Sequence, residues 1–116
     1  MRVRLALLAA TLLVLNGCHS AFVEATVSNH TAAPITLVEV DYPSASFGTQ
    51  TLTPNQDFHY RFKVLGSGPT KLLWTDAQRH DHTATGPSLG EHDEGKLTVV
   101  VHPGGAEWTL ALTNRK

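Results

Sequence analysis

Asp57-Phe58-His59-Tyr60-Arg61-Phe62-Lys63-Val64 alternates without a break: Phe58, Tyr60, Phe62 and Val64 fall on one side, and Asp57, His59, Arg61 and Lys63 on the other. Successive side chains of a strand point to opposite faces, so this period of two specifies a half-buried antiparallel strand. Lys96–His102 repeats the pattern with Leu97, Val99 and Val101 inward, and Ala106–Leu112 repeats it with Trp108, Leu110 and Leu112. Further strands are expected at Phe22–Ser28, Ile35–Tyr42, Ser46–Leu52, Thr70–Thr75 and His80–Thr85. Turn residues separate them, among them Tyr42-Pro43-Ser44, Thr53-Pro54-Asn55, Gly66-Ser67-Gly68-Pro69, Asp76-Ala77-Gln78 and Pro103-Gly104-Gly105. No stretch offers three turns of amphipathic helix. Short strands about 8–12 residues apart predict an all-β protein, an antiparallel two-sheet β-sandwich of seven to eight strands with Ig-like or fibronectin-III-like connections.

The 116 residues leave room for one such domain, placed at 21–113, with 114–116 as a tail. A formal net charge of −1 with only 9 Lys and Arg argues against nucleic acid as a partner, because displacing phosphate counterions takes a basic face. The single cysteine excludes an internal disulfide framework and any zinc site built on several thiolates.

Ahead of the domain the pattern changes. Met1-Arg2-Val3-Arg4 is a short cationic segment, and Leu5 to Leu15 is apolar apart from Thr11. Eleven helical residues cover about 16 Å of a hydrocarbon core about 30 Å thick, too little to span it, so the segment reads as a secretory signal peptide at 1–17. Leu15-Asn16-Gly17-Cys18 resembles the lipobox of bacterial lipoproteins. That resemblance implies cleavage after Gly17, diacylglycerol on the Cys18 thiol, a fatty acyl group on its amine, and 18–20 as a short tether. Two or three acyl chains make a stable anchor where one does not. In Gram-negative lipoproteins an Asp after the cysteine retains the protein at the inner membrane. His19 stands there instead, which implies the outer membrane, facing the periplasm. The mature chain from Cys18 would carry 7 basic and 10 acidic residues, a net charge of −3.

Within the domain, His80-Asp81-His82 is the most specific local arrangement. Residues two apart on a strand project the same way, about 6.6 Å apart, so two imidazoles can share a zinc or copper ion, with His92 or Asp93 supplied by a nearby loop. A two-residue Ala77-Gln78 turn would set Thr75 opposite His80 and Leu73 opposite His82, with both histidines outward; one more residue in the turn reverses that. A solvated hairpin that needs no metal is the plainer reading. His19, His30, His59 and His102 are scattered along the sequence. The sole thiol is reserved for acylation, and the chain holds no Gly-x-Ser-x-Gly, Ser-x-x-Lys, His-Glu-x-x-His, P-loop or dinucleotide fingerprint, so no enzyme is expected. The 86–95 loop is too acidic to cradle phosphate, with Glu91, Asp93 and Glu94. Trp74 and Trp108 are expected in the core, Tyr42 at a strand end as a candidate contact, and Asn29-His30-Thr31 in a turn.

Over 21–112 the chain resembles the small, largely uncharacterised β-sandwich lipoproteins of bacterial envelopes, through Asn29 to Pro34 and the Leu52-Thr53-Pro54-Asn55 turn before an aromatic strand. It lacks the paired cysteines of antibody domains. The combined expectation is a non-enzymatic, membrane-anchored binding or scaffolding module with an envelope protein as partner and no cofactor. The alternative is a metal-binding lipoprotein using His80 and His82.

Overall fold

A computed structural model describes residues 20–114; the leader, Cys18 and His19 lie outside the described residues. Eight strands form: β1 Val23–Asn29, β2 Ile35–Tyr42, β3 Ala45–Leu52, β4 Asp57–Phe62, β5 Gly68–Thr75, β6 Asp81–Leu89, β7 Gly95–His102 and β8 Gly105–Leu112. They make two four-stranded sheets, with orders β4-β1-β7-β8 and β3-β2-β5-β6. All pairings are antiparallel except β1 with β7.

Loop length explains this order. Facing sheets stand about 10 Å apart, a gap that a two-residue hairpin loop does not bridge. Pro43-Ser44 and Pro103-Gly104 therefore keep β2 with β3 and β7 with β8, whereas the five-residue 76–80 connection keeps β5 with β6 because the Asp76 side chain folds it into a turn. The connections at 30–34, 53–56, 63–67 and 90–94, of four or five residues, are longer than those two-residue loops, and each crosses between sheets. The architecture is the expected two-sheet sandwich, with eight strands where seven to eight were expected, but its strand order is not that of an immunoglobulin domain. There the first, second, fifth and fourth strands share a sheet; here the first strand sits beside the fourth and the seventh.

The inner faces follow the alternation. Val23, Ala25, Val27, Leu97, Val99 and Val101 meet Ile35, Val38, Val40, Leu52, Leu72 and Leu89, all buried. Phe62 and Val64 join them, but Tyr60 remains 44% exposed. It points inward from an edge strand and covers the rim, its ring stacked on Phe47 at 4.5 Å. Tyr42, the expected strand-end contact, lies against Phe62 at 4.2 Å and belongs to this edge cluster. At the opposite edge Trp108 is half-buried against β6. A Cβ on Gly86 would come within 2.6 Å of its ring and also collide with Thr70 Oγ1, so glycine is required there to let the indole close the sandwich.

Phe62→Ala is expected to destabilise the domain by about 3–5 kcal/mol through the cavity it leaves. Gly86→Ala is expected to cost about 1–3 kcal/mol through overpacking against Trp108. Urea unfolding of the two variants measures both; a loss below about 1 kcal/mol for Phe62→Ala would contradict its placement in the core.

Candidate functional site

Strand direction sorts the connections into two ends. Val23, where the chain enters the sandwich, pairs with Phe62 and Gly95, so the 63–67 and 90–94 connections share its end. The 30–34, 53–56, 76–80 and 103–104 connections lie at the other. Four of the seven histidines, His30, His80, His82 and His102, gather at this far end.

Asn29 holds the far end together. Its side chain is fully buried at the last position of β1, and a buried amide is costly unless its hydrogen bonds are met. Its Nδ2 donates to Ala33 O at 3.0 Å and, across the sandwich, to Leu52 O at 2.9 Å. Its Oδ1 accepts from the Thr31 N–H and from Thr31 Oγ1. The expected Asn29-His30-Thr31 turn is therefore an internal knot. Its neighbour His30 donates its backbone N–H to Val101 O at 2.8 Å, which seats it beside the end of β7. The His30 and His102 rings consequently meet edge to face, with centroids 5.7 Å apart and planes at 83°.

The β5–β6 turn is organised by Asp76. Its Oδ1 accepts the backbone N–H groups of Gln78 and His80, each at 2.9 Å. Arg79, at φ 65°, completes the turn in the left-handed region. That conformation lengthens the turn beyond the two-residue form by one residue, so Thr75 faces Asp81 and Trp74 faces His82. The reversed orientation follows: His82 turns toward the Trp74 side and stacks on the indole at 5.0 Å with a 12° tilt, while His80 stands just outside β6. Both imidazoles converge on the Asp76 carboxylate. His82 Nε2 is 2.8 Å from Asp76 Oδ2 and His80 Nδ1 is 3.7 Å from it. The bond to His82, with those to the turn backbone, holds the Asp76 pKa down at about 2.

His92 is not part of this group. It lies in the 90–94 connection at the opposite end, at φ 65°, with its N–H on Val64 O. Asp93 stays with it, buried, and accepts the Gly90 N–H at 2.7 Å. The expected third ligand is thus separated from His80 and His82 by the length of β6. Among the described residues no group of three or more His, Cys, Asp or Glu side chains is placed to hold a metal ion.

Between these two features runs a cleft of about 290 Å³, lined by Thr31, Ala33, Trp74, Asp76, His82 and His102, with Pro103 at its rim. A larger groove of about 550 Å³ crosses the outer face of the first sheet along Glu24, Thr26, His59, Arg61, Lys96 and Thr98, but it is the more open of the two. The far-end cleft is the better-formed recess, having an aromatic floor and a few converging polar groups. No protein-family model, no curated protein and no solved structure matches this chain.

The hydrogen bonds to Asp76 require its ionised form. Because its folded pKa lies below the ordinary 3.8, they stabilise the fold above that value, and the contribution is lost as pH falls through about 2. Asp76→Asn should therefore flatten the acid limb of stability. In urea unfolding from about pH 5 down to about pH 2, the gap between the parent and Asp76→Asn should narrow steadily; a constant gap would show that the charge contributes nothing.

Proposed function

We propose that this chain is a lipid-anchored envelope protein whose β-sandwich binds or scaffolds a partner and performs no catalysis. The observation that carries the reading is the Leu15-Asn16-Gly17-Cys18 sequence at the end of a short apolar leader, five residues before β1 begins. A tether that short, attached to Cys18, holds the entry end of the sandwich near the membrane. The far end, with its cleft and its four histidines, then points away from the lipid into the periplasm. Following the lipobox resemblance, His19 favours the outer membrane.

The chemistry within the domain supports binding over catalysis. Asp76 and His82 form an acid–imidazole pair, but both groups are spent on closing a turn and on packing against Trp74. The partner we favour is another envelope protein that meets the far end. The mild negative charge of the mature chain disfavours anionic partners.

Cys18→Ser tests the anchor. It should abolish incorporation of labelled fatty acid and move the protein from the membrane fraction to the soluble fraction. Unchanged labelling and fractionation would refute lipidation at Cys18.

A further inference from the structure

We propose that two copies of this chain join side by side about a twofold axis parallel to the strands, β3 of each pairing antiparallel with β4 of the other. This inference stands on the described domain and is independent of the lipid anchor.

The first support is a bare sheet edge. Natural sheets blunt their edges with charge, proline or a bulge, because an open edge is a template for another strand. Of the two edges of the second sheet, β6 carries Pro87 and an irregular register. β3 has no such device. Its sequence, Ala-Ser-Phe-Gly-Thr-Gln-Thr-Leu, holds neither charge nor proline, and its pairing with β2 keeps one register from Ala45 to Leu52. β4 is the edge of the first sheet on the same side, and it too lacks proline. Exposed apolar groups gather beside these edges. Tyr60 stands on β4, and Leu65 lies just beyond it, with its N–H donating to Ser44 Oγ in the β2–β3 turn.

Chain direction and charge select a second copy as the occupant. β3 runs from the entry end to the far end, and β4 runs back. A twofold axis along the strands exchanges the two sheets but preserves strand direction. It therefore brings β3 of one copy beside β4 of the other in opposite senses, and repeats that contact on the other sheet. Both open edges are paired at once, inward faces stay inward, and each sheet grows from four strands to eight. An axis across the strands would pair β3 with β3 and leave β4 open. Phe47 and Tyr60 stack and so lie at one level, which sets Phe47 beside Tyr60 of the second copy and Ser46 beside its Arg61. No like charges meet, because every β3 residue is neutral. Pairing β4 with β4 about Tyr60 would instead oppose His59 to Arg61. The chosen axis also leaves both entry ends on one side, as two chains anchored in one membrane require.

Oxidative cross-linking of the full chain, in membranes and in detergent, tests the pairing. Ser46→Cys/Arg61→Cys should give a disulfide-linked dimer. Ser46 and Arg61 alternate with the buried Phe47 and Phe62, so they face outward from opposite sheets and are not placed to bridge within one chain. Each single variant should give no more dimer than the parent, whose sole cysteine is Cys18. Sedimentation of the parent in detergent should show a monomer–dimer equilibrium at micromolar protein. Ser46→Arg, which opposes a like charge to Arg61 of the second copy, should weaken it at least about twofold. In the unsubstituted protein, amides of β3 and β4 should gain protection from hydrogen exchange as concentration rises while those of β6 do not, which covers a variant that fails to fold. A parent that stays monomeric at millimolar concentration would overturn the proposal. So would Ser46→Cys alone cross-linking as well as the double variant, which would put β3 against β3.

Discussion

The double pairing of β1 is the constraint on which the rest of the domain depends. It is an inner strand, hydrogen-bonded to β4 on one side and to β7 on the other, and its inward residues Val23, Ala25 and Val27 are all at most 3% exposed. It ends in Asn29, whose amide reaches the last residue of β3 in the facing sheet. The backbone of Asn29 also exchanges bonds with the 53–56 connection, since its N–H reaches Gln56 O and its carbonyl accepts from Asn55. One strand therefore organises the first sheet along its length and joins it to the second sheet at the far end. The far-end cleft is built beside that joint.

The two open sides of the sandwich are closed by different means. On the β3–β4 side the closure is aromatic: Phe47 stacks with Tyr60 and contacts Phe58 and Phe62, and Tyr42 completes the group. On the β6–β8 side one indole does the work, lying over a glycine at a place where the β5–β6 pairing is irregular. Pro87 there also removes one backbone N–H from the edge strand β6, which makes it a poorer template on which another chain could pair.

Much of this was legible in the sequence, because burial in a sheet writes itself as a period of two. The 35–42 strand needed no adjustment, and the others shifted mainly at their ends. Tyr60 escaped because alternation reports which side a residue faces, and an edge strand leaves its inward side partly open. The orientation of His82 turned on a single residue in the 76–80 connection, decided by Asp76 accepting two backbone N–H groups and by Arg79 adopting a positive φ. Asp76 itself read only as a turn residue. The meeting of His30 and His102 had no local signal at all. It arises from the parallel register of β1 with β7, which brings Asn29 opposite Val101, 72 positions further along the chain.

That same register has a kinetic meaning. Parallel neighbours cannot be joined by a tight hairpin, so the centre of the first sheet is assembled from the two extremes of the domain. Until Val101 is available, β1 has only β4 beside it, and its other edge is exposed. Topologies dominated by such distant pairings fold slowly, on the order of milliseconds to seconds. A chain delivered from its N-terminus would hold its central strand half-paired until nearly the last residue arrived. The domain is built to stay open while it is being made and to close only when it is whole.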